Sequence, residues 1–307
     1  FHAADTVSID RVEYIPFEDR AACVRRFEAG EVQSCDDLPA EQIEFLKESL
    51  GDQVRIAPYL GTYYFALNTQ AEPLDDVRVR QALSMVVDRE FLAEEIWGGA
   101  MLPAYGFVPP GIGNYVENPP TVDYADLPMF DREEQAIALM EEAGYGPDNP
   151  IELEVSYNTS ENHKNTTTAL ADMWAPLGIT ITQNVRDLSA HYAHLRDTDD
   201  YQIARAGWIG DYSDPQNFLF LVRSDNPGFN YANYVNPDYD ALLDEAARTT
   251  DLDARAEILA EAEAIYLRDM PMIPLMFYSS KALVSDRLEG WVDNIQKVHA
   301  TRFLSLN

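Results

Sequence analysis

Few residues in this chain of 307 residues have the type and spacing to do chemistry. His191 and His194 stand three apart, so on a helix they share a face. Zinc wants three or four ligands with supporting hydrogen bonds, and no glutamate joins the pair in an H-E-x-x-H pattern. The pair reads as a solvated helix face. No G-x-x-x-x-G-K-[ST] loop offers backbone N–H groups to a phosphate, no G-x-G-x-x-G follows a strand, and no G-x-S-x-G turn presents a serine. The 53 Asp and Glu residues guarantee chance pairs, so counting acids does not support a glycosidase. Cys23 would sit mid-helix on an apolar face, a poor setting for a reactive thiolate. The sequence therefore names no catalytic residue, no metal site and no cofactor.

Charge narrows the partners. Against the 53 acids stand 22 Lys and Arg, a net charge of −31. Such a chain repels a phosphate backbone and an anionic lipid surface, which argues against nucleic acid as a partner. Aromatic residues at 11% and only 15 glycines point to a folded chain with a core, in two domains or one large one. From Phe1 onward no basic and apolar leader is visible. The long uncharged run Gly98 to Val116 carries Pro103, Pro109 and Pro110 with five glycines, so it reads as an ordered loop, not a spanning helix. Cys23 and Cys35 are the whole cysteine complement. One disulfide and two buried thiols both remain open.

Periodicity supplies the elements. Val7 to Tyr14 alternates as a strand, and Asp19 to Ala29 reads as a helix closed by Gly30. Val54 to Leu67 is an apolar, aromatic strand. Pro73 and Asp75-Asp76 open a helix expected from Val77 to Trp97, ended by Gly98-Gly99. Asp131 with Glu134 resembles a capping box, and Gly144 closes that helix. Then come a strand at Ile151 to Tyr157, a helix around Thr166 to Ala175 and a strand at Ile179 to Val185. A short helix, Leu188 to Arg196, leads into a third strand, Tyr201 to Trp208. That alternation signifies an α/β layer with parallel crossovers. Helices from Asn236-Pro237 and from Asp251 to Arg268 follow. Pro271 and Pro274 break the chain before a last apolar strand, Leu275 to Val284.

Three stretches together carry a resemblance: GTYYFALNTQAEPLDDVRVRQALSMVVDRE (Gly61 to Glu90), ARAGWIGDYSDP (Ala204 to Pro215) and DMPMIPLMFYSSKALV (Asp269 to Val284). In this order and spacing the chain resembles the extracytoplasmic solute-binding proteins of peptide ABC transporters, the oligopeptide- and dipeptide-binding family. The loop Pro103 to Gly111 and the segment Phe27 to Glu31 fit as well.

The resemblance implies a periplasmic-binding-protein-like fold of type II, two α/β lobes closing on a ligand. Here it implies one complete lobe plus part of a second. Residues 61–274 would form the second lobe, and 1–60 with 275–307 a discontinuous remnant of the first, most of which would lie outside this chain. The implied function is non-covalent capture of short peptides and their delivery to ABC permease subunits at the membrane, by a periplasmic monomer whose export signal is not in this chain.

Ligands in open α/β sheets sit beyond the carboxyl ends of strands, where Gly210-Asp211-Tyr212 falls. The family role of this aspartate, holding the peptide's ammonium, is carried over to Asp211; the alternative is a turn cap. Trp208 would be an aromatic wall or a core residue, and Gly207 would let a peptide backbone approach the strand. Arg205 would face a ligand carboxylate or pair with a neighbouring acid. Tyr278 would line the cleft from the other lobe. Asn68, Pro73, Arg78 and Arg80 match family positions and read as a turn, a helix start and solvated or paired charges. Other readings are a binding protein of this fold for a nickel chelate, sugar or opine, a carboxylate-based hydrolase, and a surface interaction protein.

Overall fold

The computed structural model describes residues 6–17 and 19–307. Helix α1 (Arg20–Glu28) starts where the Asp19 side chain accepts the Ala21 N–H, and it turns Cys23, Val24 and Phe27 inward. Strand β1 (Ser34–Asp36) and helix α2 (Ile43–Leu50) follow. A Cys23–Cys35 disulfide clips α1 to β1, which resolves the alternative left open by the sequence. These elements share a small core of Leu38, Ile43, Leu46, Ala100 and Leu283 with the two cysteines, Val24 and Phe27.

Strand β2 (Val54–Leu67) is the axis of the molecule. It leads to α3 (Val77–Met85), α4 (Arg89–Phe91) with a π turn over Leu92–Ile96, the short strand β3 (Met101–Pro103), and α5 (Met129–Glu142). Next come β4 (Ile151–Asn158), α6 (Glu161–Trp174), β5 (Ile179–Arg186), α7 (Leu188–Asp197) and β6 (Ile203–Ile209). The short α8 (Gln216–Leu219), then α9 (Pro237–Arg248) and α10 (Leu252–Asp269), carry the chain to β7 (Met272–Val284). A separate ribbon, β8 (Leu288–Glu289) with β9 (Ser305–Leu306), closes the described chain.

One sheet runs β1-β7-β2-β6-β4-β5, with β3 added on β7. β4 pairs in parallel with β5 and β6, the expected crossovers, while β2 is antiparallel to both β6 and β7. In β2 the consecutive residues Tyr63, Tyr64, Phe65, Ala66 and Leu67 are all buried, because the sheet is covered on both faces. Leu60 and the residues after it join the large core, whereas Val54 and Ile56 pack on the small one. On β7 the same change falls between Met276 and Leu283. The strand pair is thus continuous through two cores, with its pairing irregular between Pro58 and Thr62.

Several expectations need correction. Val7 to Tyr14 forms no strand; Val12 and Tyr14 are exposed, and no strand pairs with them among the described residues. The helix expected from Val77 to Trp97 breaks after Met85, because Asp88 caps a new turn by accepting the Phe91 N–H. The helix assigned a cap at Asp131 has its cap three residues earlier, at Pro128, and begins at Met129. Pro274 does not break the last strand: it lies inside β7 opposite Tyr64, where the register shifts from the Tyr63–Met276 pair. His191 is fully buried on the inner face of α7, not solvated. Arg80 is buried too, donating to the carbonyls of Asp269, Leu74 and Asp75.

Arg89 is the strictest of these buried cations, at 0% exposure. Its Nε donates to the Ala104 and Pro274 carbonyls at 2.8 and 3.0 Å, Nη1 to those of Ser84 and Val87, and Nη2 to the Ser84 hydroxyl. Its guanidinium also lies over the Tyr105 ring. One side chain therefore joins the α3–α4 break, the loop after β3 and β7. Arg89→Met keeps the bulk and loses every donor, so urea unfolding should show a loss of about 3 kcal/mol. Arg89→Lys should recover only part of it, because three donors on a point charge cannot reproduce the fork.

Candidate functional site

The candidate site lies along β6 and the turn after it. Toward its start β6 is flanked on both sides, but its ladder with β4 covers only Val155–Ile203 and Ser156–Ala204. From Arg205 onward it is paired only with β2, through Ile209 opposite Gly61. Beside Asn158, at the end of β4, its other edge has no strand partner among the described residues; His191 Nε2 meets the Arg205 carbonyl, and the edge is open beyond it.

Arg205 is buried at 7% exposure, and no carboxylate lies within ion-pair distance among the described residues. Its Nη1 donates to Asn158 Oδ1 at 3.0 Å and Tyr192 Oη at 3.3 Å; Nη2 donates to Tyr278 Oη at 3.1 Å. The guanidinium stands 4.7 Å from the Tyr63 ring centre, and Nε has no hydrogen-bond partner among the described residues. Pairing with a neighbouring acid, one of the two readings of Arg205, is not what the structure has. The site keeps an uncompensated positive charge. Burial and that charge hold His163 near pKa 3, and burial takes His191 to about 4, so both imidazoles are neutral at ordinary pH. His163 Nδ1 meets Tyr63 Oη, and His191 Nε2 meets the Arg205 carbonyl.

Tyr278 comes from β7, and burial, more than any neighbour, raises its phenol pKa. Gly207 has a definite reason to be glycine: a Cβ there would fall 2.6 Å from Tyr278 Oη. The room over Gly207 is used by this hydroxyl, whereas the sequence suggested an approaching ligand backbone. Trp208 is half-buried, with edge-to-face contacts to Phe220 and Phe229 at 5.6 and 5.2 Å. It is neither a closed core residue nor a free wall.

Asp211 is exposed, and its carboxylate has no ion-pair partner among the described residues. The turn-capping alternative belongs to its neighbour Asp214, which accepts the Gln216 N–H and a paired contact from Arg255 at 2.8 Å through each oxygen. The turn is further tied by Gly210 N–H to the Leu60 carbonyl and by Gly113 N–H to Ser213 Oγ.

The second tie depends on the loop after β3. Glu263, on α10 and wholly buried, accepts the N–H groups of Phe107 and Val108 at 2.7 and 2.9 Å and the Tyr115 hydroxyl at 2.5 Å. Burial pushes its pKa up to about 7 against those three bonds. Sequence reasoning missed Glu263, Asn158, Tyr192 and Asn217. A signal existed for two: Glu263 interrupts the inward stripe Ala256, Leu259, Tyr266, and Asn158 ends a strand of the parallel layer, as Asp211 follows one. Among the described residues no group of three His, Cys, Asp or Glu could hold a metal ion.

Residues 1–230 match the family model of bacterial extracellular solute-binding proteins, family 5. The chain is 33% identical over 296 residues to the periplasmic murein peptide-binding protein of Escherichia coli, covering 96% of this chain and 54% of that one. It is 34% identical to the periplasmic oligopeptide-binding protein of Haemophilus influenzae, over 92% of this chain and 52% of the other. The solved complex of an H. influenzae oligopeptide-binding protein with the peptide RPPGFSPFR superposes with TM-score 0.80 at 31% identity, covering 98% of this chain and 59% of that one. The chain spans about half the length of the curated relatives it matches.

Glu263 yields a pH prediction. Its folded pKa lies above the unfolded value of 4.5, so its relative stabilisation is complete below that value and lost as pH rises through about 7. Between pH 5 and 7.5 the wild type should lose on the order of 2 kcal/mol relative to Glu263→Gln, measured by denaturant unfolding at each pH. Parallel stability curves would show that Glu263 does not titrate in this window.

Proposed function

We propose that this chain, which belongs to family 5 of the bacterial extracellular solute-binding proteins, takes part in capturing short peptides outside the cytoplasm for delivery to ABC permease subunits. The observation that carries the reading is the open edge of β6, with a buried cation at one end and a free carboxylate just past the other. Main-chain pairing along such an edge tolerates many side chains, while fixed charges recognise the termini. Asp211 would hold the peptide ammonium, and Arg205, with Tyr278 and Asn158, would draw the carboxylate. Trp208 would wall one side, and Gly207 keeps Tyr278 over the strand. At about 3.3 Å per residue, the Cα atoms of Arg205 and Asp211 are at most about 20 Å apart, a span suited to a zwitterion of a few residues.

The relatives bear names as peptide-binding proteins, and one is solved with a peptide bound. The proposed lobes are 61–274 for the second and 1–60 with 275–307 for a part of the first; the change of core along β2 near Leu60 supports a division there, while Ala100 joins the small core and Leu275 and Met276 the large one. Binding, not turnover, is the proposed activity, by a monomer and without a cofactor.

Asp211→Ala tests the site. Loss of a charge-assisted contact worth about 1.5–3 kcal/mol should weaken a peptide with a free N-terminus roughly 10- to 100-fold in titration calorimetry. The melting temperature should hold, because the side chain is exposed and unpaired. Unchanged affinity would remove Asp211 from the site, and recovery of cleaved peptide would turn the protein into a hydrolase.

A further inference from the structure

The carboxylate of Asp211 is free, yet its backbone is not. Asp211 N–H donates to Asn217 Oδ1 at 2.8 Å, and the Trp208 indole Nε1 donates to the same oxygen at 3.3 Å. Asn217 is 3% exposed, between the buried Phe218 and Leu219 neighbourhood and the turn, and its own N–H is held by the Asp214 carbonyl. Gly210 makes the approach possible, since a Cβ there would lie 3.1 Å from Asn217 Oδ1 and 2.9 Å from Leu60. One buried oxygen thus spans the two residues on either side of the strand-to-turn junction.

We propose that Asn217 is the positioning residue of the binding site, setting the Asp211 main chain and the Trp208 ring relative to one another. The inference rests on the ligand role proposed above for Asp211. Two donors on one acceptor couple two positions: rotation of the indole away from the oxygen, or of the Asp211 peptide, leaves a nearly buried carbonyl with one donor in place of two. The Asp211 carboxylate depends on where its main chain is set, because no side chain holds it among the described residues. A carboxylate without side-chain partners samples rotamers and favours an ammonium only if its backbone is fixed in the right place. Asn217 touches no ligand; it limits where the ammonium is received.

The effect belongs to the ligand's N-terminus alone, and this separates positioning from general loss of structure. A random library of tri- to pentapeptides and the same library N-acetylated are offered to the full chain, and retention is compared. The wild type should retain the free-amine library at least tenfold better. Asn217→Ala should lose most of that preference while retaining the acetylated library as before. Asn217→Asp, which keeps the acceptor oxygen, should preserve it; Asn217→Ser, polar but too short to reach both donors, should lose it if the alanine variant does not fold. Equal weakening toward both libraries would make Asn217 an ordinary structural residue and overturn the inference. If Asp211→Ala keeps the full preference for free amines, the ligand role of Asp211 itself fails. If Asp211→Ala loses the preference and the Asn217 variants keep it, only the positioning role fails.

Discussion

The second half of β2 has no solvent face, and the rest of the molecule is built around that constraint. Five consecutive residues from Tyr63 to Leu67 are buried, so both sides of the strand must be covered, and both of its edges must be paired. β7 takes one edge and β6 the other. That places Tyr278 and Arg205 on the two strands flanking Tyr63, where guanidinium, phenols and ring face meet. Leu60, at the start of the buried run, also accepts the Gly210 N–H, so the turn carrying Asp211 is registered against the same strand. The site inherits its geometry from a packing requirement.

Buried arginine recurs in the fold with two different solutions. Arg80, Arg89 and Arg132 donate to main-chain carbonyls and so hold loops and helix ends together. Those carbonyls would otherwise be buried and unmet, and the cation gains oxygen partners that cost no countercharge. Arg205 differs: phenols and one amide surround it, and one N–H stays unmet. A charge left in that state within a low-dielectric setting favours any anion that can reach it. The contrast distinguishes cations that build the fold from the cation available to a ligand.

Support for the site comes from remote parts of the chain. Glu263 and Arg255 lie on α10, Gly113 lies in the loop after β3, and Asn217 follows the turn it holds. Glu263 and Asn217 accept backbone N–H groups, Arg255 donates to the Asp214 carboxylate and Gly113 donates to the Ser213 hydroxyl, and none is itself a candidate ligand contact. The chain carries −31 overall, and part of that charge does structural work: Asp214 and Glu263 hold the loops at the site, Asp76 and Asp293 pair with Arg78 and Arg55, and Asp19, Asp88 and Asp251 cap helices. Salt would screen the remainder.

The β2 span to the residue, the β4-α6-β5-α7-β6 alternation, the helix starts near Asp19, Asn236 and Asp251, and the family were legible in the sequence, because these are written in local periodicity and in long contiguous motifs. The sequence named Arg205, Gly207, Trp208, Asp211 and Tyr278 by position in those motifs, and could not say what each touches. Pairing of Cys23 with Cys35, burial of His191, the lack of an ion-pair partner for Arg205 and the two hydrogen bonds to Asn217 Oδ1 all depend on residues apart in the chain or on rotation about a few side-chain bonds. Proline inside β7 and the break after Met85 went unread for a related reason. Whether a local breaker breaks depends on the strand or cap that receives it, and only tertiary structure supplies that partner.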